Sequence, residues 1–587
     1  MKQEFHDAMA AGYDFPEPTA VLGGPLLDNE VVTDVLVKAP TAMLNRHGLI
    51  AGATGTGKTK TLQILAGELS EQGVPCFVAD IKGDVTGIAA PGDPADPRVA
   101  ERAQQLGWTY VPKGHPVEFL SLSGQLGAQV RATVHSFGAV LLAKVMELND
   151  TQTAVLSLIF KYCDDNQLPL LDLDDLRTTL QYLSSDEGKQ GLADYGGMSP
   201  ATVSVLLRSI VTLEESGASA FFGEPEFDVS DLMRLTADGH GIVSVMELRD
   251  VMDKPRLFST FMLWMLAQLY HALPEVGDLP KPKLCFFFDE AHLLFNDASE
   301  ALLEQVELTV RLIRSKGVGV YFVTQAPTDV PDSVLAQLGN RVQHALRAFT
   351  PIDADNLRKS ARTFPMSDFY NVEQELQSLG IGEALVTVLT PRGVPSPLAA
   401  TRLVPPDSAM AALAPDAFAA LVAAGSLVPK YGTPIDRQSA HEIIVGRIQA
   451  ATAAQQAAAE QASQAQSAAI QQAAIQQAAN AGIPGGVVAG GPGTAYPSVP
   501  PGAKVISYGQ YQRQIQAQAR ELERQQKAAD RAAATQARAQ ARAQAQAQRA
   551  AQRERDQMIR AGTKVLTSRN TGSLIRGVFG TLFGGRR

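Results

Sequence analysis

The chain has 587 residues, too many for one ordinary hydrophobic core, and its 45% hydrophobic and 19% charged residues are those of a globular protein with some low-complexity sequence added. The net charge of −10 hides a division: residues 504–587 hold 17 Lys and Arg against 5 Asp and Glu, a surplus of 12, which leaves −22 on the first 503, so overall pI says nothing about nucleic-acid binding. No uncharged apolar stretch reaches the roughly 20 residues of a membrane span, the N-terminus has no secretory-leader pattern, and the distant cysteines Cys76, Cys163 and Cys285 read as buried reduced thiols of a cytoplasmic protein, without zinc-ligand spacing.

Residues 1–45 read as a short β segment, with weak alternation at 31–37 supplying one or two strands that lead into the first motif. There LIAGATGTGKTKTL, at 49–62, fits GxxxxGK[ST] at every fixed position: Gly52, Ala53, Thr54, Gly55, Thr56, Gly57, Lys58 and Thr59. Small residues let successive backbone N–H groups turn inward around phosphate oxygens, and the following helix adds the positive end of its dipole. Lys58 reaches the β- and γ-phosphates of ATP and the Thr59 hydroxyl is a ligand for Mg2+, with Lys60 completing the nucleotide-binding set. The apolar 48–51 is a buried strand end, and helical periodicity runs through 60–70. VPCFVAD at 74–80 is a second buried strand ending on a carboxylate, continued by the loop IKGD. Ligands of open α/β sheets sit beyond the carboxyl ends of strands, so Asp80, Lys82 and Asp84 face the nucleotide or its metal.

From 130 to 235 the pattern turns helical. Residues 132–163 read as one long amphipathic helix, 173–184 and 200–215 follow, and turn signals at 186–188 and 195–198 separate them. Strand signals resume at 241–248, so the block is an all-α insertion, and a helix at 256–271 comes next. KLCFFFDEAH at 283–292 is an apolar run ending in two adjacent acids, a Walker B pattern; a strand buried on both faces explains 284–288. Asp289 holds Mg2+ and Glu290 orients and polarises the attacking water. After a helix at 300–316, GVGVYFVTQ forms a third strand whose terminal Gln325 can sense the γ-phosphate or hold the water. A short helix at 334–342, a strand at 344–349 and a helix at 353–363 continue the βα succession of a parallel, helix-covered sheet, and strands at 383–389 and 397–404 follow.

Beyond this point composition shifts. Residues 408–430 suggest a small helical piece, 452–481 are nearly all Ala and Gln, and the last stretch, 572–587, mixes apolar residues with arginines in a segment suited to docking on the protein body first, and otherwise on a partner or an anionic surface. The resulting organisation is a β segment (1–45), a P-loop core in two parts (46–130 and 239–406) around the helical insertion (131–238), a helical Ala/Gln-rich extension (407–481), a Gly/Pro linker (482–503) and a basic Ala/Gln/Arg helical tail (504–587).

Together RHGLIAGATGTGKTKTLQ, VADIKGD, FFFDEAHLLF and RLIRSKGVGVYFVTQAPTDVPDSVLAQLGNRVQHALRAFTP resemble the HerA–FtsK class of P-loop ATPases, specifically its HerA-like helicases of the YjgR type, over 46–405. The resemblance implies a RecA/FtsK-like sheet with helices on both faces, a homohexameric ring, ATP and Mg2+ as cofactors, and DNA as the translocated polymer. Lys58, Thr59, Asp289, Glu290 and Gln325 match the family's motor residues. By its place in RSKG, Arg314 matches an arginine that contacts the γ-phosphate of an adjoining subunit, with Arg341 as second choice. HerA relatives also carry an N-terminal β-barrel, whereas about 45 residues precede the P-loop here. Three readings stand side by side: a hexameric DNA helicase or translocase, a ring ATPase that moves protein or nucleoprotein, and a nucleotide-dependent scaffold whose basic tail binds protein partners. Glu290 beside Asp289 favours hydrolysis over a pure switch.

Overall fold

A computed structural model describes residues 2–480, apart from 193–194, 253 and 296–299, together with scattered positions between 510 and 528. The expected linker at 482–503 and the docking segment at 572–587 lie outside the described residues. Residues Met1–Ala450 pack into one compact unit, and the chain beyond Ala450 forms a second.

Thirteen strands are found among the described residues: β1 (Thr19–Leu27), β2 (Glu30–Val31), β3 (Val37–Pro40), β4 (Gly48–Ala51), β5 (Cys76–Asp80), β6 (Val117–Ser121), β7 (Ala128–Gln129), β8 (Val243–Glu247), β9 (Leu284–Phe288), β10 (Val318–Thr324), β11 (Asn340–His344), β12 (Glu383–Thr387) and β13 (Ala399–Leu403). They form one sheet in the order β2-β1-β13-β12-β11-β4-β10-β9-β5-β8-β6-β7, with β3 also paired to β1. From β11 through β7 every pair is parallel. At the other edge β12, β13 and β1 run antiparallel, so the sheet is mostly parallel with an antiparallel border.

The alternation of side chains divides the core. Phe77, Phe286, Phe288 and Phe322 face the helical block, while Val78, Phe287 and Tyr321 face the side that carries the helix after the P-loop. Rings stack across strands, Phe77 on Phe286 at 4.6 Å, Phe287 on Tyr321 at 5.0 Å and Phe288 on Phe322 at 5.5 Å between centroids. Apolar residues at every position of β9 are the expected mark of a strand covered on both faces. All three cysteines are free and buried.

Several elements depart from expectation. A helix, α1 (Lys2–Gly12), precedes the N-terminal strands; its buried Phe5 and Met9 lie one turn apart, too short a stripe to betray a period. The long helix expected at 132–163 is three helices, Val134–Phe137, Ala139–Val145 and Asp150–Asp165. It breaks at Gly138 (φ 76°) and Glu147 (φ 54°), and an Asn149–Gln152 capping box starts the third piece. The helix expected at 334–342 is the single turn Asp332–Leu335, and the strand expected at 344–349 lies earlier, as β11. Pairing decides this: Asn340 aligns with Gly48, and its side-chain amide donates to the Met43 and His47 carbonyls (3.1 Å each).

Register sets the functional edge. Thr324 lies opposite Ala51, Phe288 opposite Ala79 and Asp80 opposite Glu247, so the carboxyl ends of β4, β5, β8, β9 and β10 open on one rim.

Candidate nucleotide site

β4 ends at Ala51 and α2 (Lys58–Glu71) begins seven residues later, with the P-loop motif as the connection. Gly52 and Gly57 carry φ of 155° and 117°, and a Cβ on Gly52 would meet the Cβ of His344 at 2.4 Å, so neither backbone nor space admits a side chain there. The amide of Gly52 donates to the Thr324 carbonyl (3.2 Å) and that of Ala53 to the Ala345 carbonyl (2.9 Å), which sews the loop to the tips of β10 and β11. The Thr56 hydroxyl donates back to Ala53 (2.7 Å), closing the turn, while Thr54 and Gly55 lie exposed at its crest. Lys58 is largely buried, and its ammonium donates to the Gly52 (2.7 Å) and Ala53 (3.3 Å) carbonyls. Burial lowers its pKa, and Glu290 and Asp289 push the other way.

The acids converge from the tips of two strands, β5 and β9. Asp80, at the end of β5, accepts amide hydrogens from Lys82 (3.1 Å), Gly83 (2.7 Å) and Val85 (2.9 Å), so its carboxylate winds the 81–85 loop around itself. That loop brings Asp84 to the Thr59 hydroxyl, which donates to it at 3.1 Å. Carboxylate oxygens of Asp80, Asp84 and Asp289 all lie within 4.8 Å of one another. Burial, reinforced by Glu290, Asp84 and Asp80, pushes Asp289 up to about 7, the mark of an acid group short of positive charge. Glu290 occupies the left-handed region (φ 48°), strain that a non-glycine residue carries at a cost of roughly 1–3 kcal/mol. Its carboxylate pairs with Lys82. Burial raises Glu290, yet Lys82, His292 and Lys58 outweigh it and hold the carboxyl below its ordinary value. Gln325 is exposed immediately after β10, on the same rim.

Three expected residues turn elsewhere. Lys60 does not aim at the phosphate loop: its ammonium donates to Gln63 (2.9 Å) and to the Met410 carbonyl (2.6 Å). Arg341 is engaged within its own chain, donating to the carbonyls of Leu338 (3.3 Å), Thr363 (2.7 Å) and Leu335 (3.4 Å), so it is not available to a neighbour. Arg314 sits in a 3-10 turn before β10, at the amino end of the strands, exposed and remote from its own P-loop.

The sequence reading passed over Glu247, Arg249, His292 and His344. Glu247 ends β8 beside Asp80, fully buried; burial pushes it up to about 7, and Arg249 Nε donates to it at 2.7 Å. The terminal acid of 241–248 was the available signal, by analogy with Asp80. His292 Nδ1 lies 3.2 Å from a Glu290 oxygen, two residues along the same turn. His344 is buried, shares a hydrogen bond with the Thr61 hydroxyl (2.8 Å) and packs on Gly52; only the β4–β11 pairing brings it there.

A parallel α/β sheet with a glycine-rich phosphate loop on one strand tip and two adjacent acids on a nearby one defines a P-loop ATPase. Within that class the chain belongs to the HerA-like helicase C-terminal family, whose model matches residues 27–486. Among solved structures it is similar to the unbound bacterial conjugative coupling protein TrwBdeltaN70, at 14% identity and a TM-score of 0.44 over 68% of this chain and 91% of that one. It is also similar to plasmid coupling protein TrwB in complex with ADP and Mg2+ (14%, TM-score 0.43, 68% and 94%) and to VirB4 of Thermoanaerobacter pseudethanolicus (14%, TM-score 0.42, 66% and 98%). No curated protein matches the chain. No helix among the described residues is long and apolar enough to cross a membrane.

Proposed function

We propose that the chain is a Mg-ATP-hydrolysing ring motor that acts on DNA as a helicase or translocase. One observation carries the reading: Lys58, the Thr59–Asp84 pair, Asp289 and Glu290 meet at adjoining strand tips around a loop of small residues. In this reading the loop amides and Lys58 hold the β- and γ-phosphates, and Glu290 orients and polarises the attacking water. Gln325 monitors the γ-phosphate from the next strand tip. Asp80 acts indirectly, by shaping the loop that carries Lys82 and Asp84.

The donor set suits Mg2+: carboxylates and a hydroxyl are hard oxygen ligands, and Asp84 Oδ1 is buried without a hydrogen-bond partner. Thr59 and Asp289 would hold the ion, beside Asp84. Bound there, Mg2+ supplies charge neutralisation on the phosphate oxygens. Exposed Arg314 is the arginine offered to a neighbouring subunit, because it stands at the amino end of the strands, away from its own P-loop. DNA comes from the family's description, and the surplus positive charge of residues 504–587 supports a polyanion as partner.

The test is ATP hydrolysis with and without DNA over a salt series, on the full chain and on residues 1–503. DNA should stimulate hydrolysis, stimulation should fall steeply with salt, and removing the tail should weaken it. Failure to hydrolyse any nucleoside triphosphate with Mg2+ overturns the motor; hydrolysis indifferent to DNA moves the assignment to protein or nucleoprotein transport.

A further inference from the structure

The 81–85 loop carries Lys82 and Asp84 to the site, and Gly83 lies between them. Whatever fixes the backbone of Gly83 therefore fixes the origin from which both side chains reach. Asp80 grips it on one side, accepting its amide hydrogen at 2.7 Å. Gly83 adopts φ 74° and has no side chain, so its other face is bare and its backbone is free to move unless something covers it.

Arg249, two residues past the acid that ends β8, covers that face. A Cβ on Gly83 would meet Arg249 Cδ at 2.5 Å and Nε at 2.6 Å, so the arginine stem lies against the glycine. The Arg249 side chain is 40% exposed, yet it is fixed from two directions. Its Nε donates to the fully buried Glu247 (2.7 Å), and its guanidinium lies over the Phe418 ring, 5.1 Å from the centroid. Both supports are anchored. The Leu248 amide donates to the Asp80 carbonyl (2.9 Å), which joins the tips of β8 and β5. Phe418 stands on the helix Pro415–Ala424 and meets Phe119 of β6 edge-on at 4.7 Å. The chain leading into that helix is tied to the far end of the same loop. There the Leu413 amide donates to the Thr86 hydroxyl (3.1 Å) and the Ala409 amide to the Ala90 carbonyl (2.8 Å).

We propose that Arg249 is a positioning residue for ATP hydrolysis, clamped between Glu247 and Phe418 so that its stem holds Gly83 and, through it, Lys82 and Asp84. The inference rests on the ATPase reading above and adds to it a residue outside the nucleotide motifs. Arg249 acts on turnover more than on binding. In that reading the phosphates are held by the P-loop amides and Lys58, between β4 and α2, whereas Arg249 bears on the loop after β5. Lys82 of that loop pairs with Glu290, and Asp84 meets Thr59. Loosening the loop therefore disturbs the water-polarising carboxylate and the metal side of the site, and leaves the phosphate cradle in place.

The test compares full-length Arg249→Met, Arg249→Lys and Phe418→Leu with the parent, with Mg2+ present throughout. Phosphate release over an ATP series gives kcat and KM, and calorimetric titration with the non-hydrolysable imido analogue of ATP gives affinity. Arg249→Met keeps a stem but loses the charge held by Glu247 and Phe418; its kcat should fall about 10-fold while the analogue binds as tightly as to the parent. Arg249→Lys, which keeps a charge beside Glu247, should recover most of that rate. Phe418→Leu should slow turnover in the same way, and combined with Arg249→Met it should add no further loss, because both act through one side chain. Should Arg249→Met fail to fold, Phe418→Leu decides alone. An unchanged kcat in a folded variant, a loss of analogue affinity that matches the loss of rate, or an Arg249→Lys as slow as Arg249→Met overturns the positioning role and leaves the ATPase reading intact. A parent protein that hydrolyses no nucleoside triphosphate overturns that reading and this one with it.

Discussion

Glu290, the proposed general base, has an unusual position: a strained backbone, a buried carboxylate and an ammonium partner that is itself half exposed. Lys82 keeps the carboxylate ionised, and so removing Lys82 must raise the Glu290 pKa. Lys82→Met should therefore shift the acid limb of the kcat/KM profile to higher pH, because the base is protonated over a wider range; an unmoved limb would separate Glu290 from catalysis or Lys82 from Glu290. Glu290→Gln should keep ATP affinity and lose about 100-fold or more in turnover, read by calorimetry beside phosphate release. Of these residues the motifs revealed Lys58, Thr59, Asp289 and Glu290, because phosphate and metal chemistry leaves little choice of residue type or spacing. Which lysine meets Glu290 was not legible, since Lys58, Lys60 and Lys82 all carry the same charge near the same tips and only the packing separates them.

At the level of elements, β4, β5, β8, β9 and β10 were readable because a strand covered on both faces is apolar throughout. β11 was not, as NRVQH carries polar residues whose partners come from turns and a helix outside the strand. Arg341 shows the consequence. Its three carbonyl acceptors brace the turn before β11 and the end of helix Pro351–Ala361, so Arg341→Ala should cost about 1–3 kcal/mol in urea unfolding rather than act across subunits. If the variant is as stable as the parent, the bracing role is wrong. The helical block illustrates the same limit: apolar periodicity marked 132–163 as helical, yet Gly138 and Glu147 break it where the pieces must turn to cover one face of the sheet.

On the scale of the whole molecule, Arg314 stands exposed at the amino end of the strands, away from its own P-loop, where the proposed action across a subunit boundary needs it. Arg314→Ala mixed with Lys58→Ala should regain hydrolysis that neither variant has alone, and no recovery at any mixing ratio would count against a shared site. The fold also carries an acid sensitivity. Burial pushes His47 and His344 down to about 4, so the unfolded chain takes up their protons first as pH falls from about 6.5. Their contribution to stability is complete above that value and is lost on the way to pH 4; His47→Gln should flatten the fall between pH 7 and 5 in urea midpoints relative to the parent. By itself the sequence determined the class of chemistry, because a phosphate cradle and a pair of acids need small residues, a lysine and carboxylates at set intervals along one chain. It also determined where most core strands run, through apolar runs that only double burial explains. Tertiary structure alone decided the rest: the antiparallel edge, the company of Glu247 and His344, the diversion of Lys60 and Arg341 to backbone carbonyls, and the place of Arg249 against the 81–85 loop. Those depend on which elements pack together, often between residues far apart in the chain, and local periodicity carries no record of them.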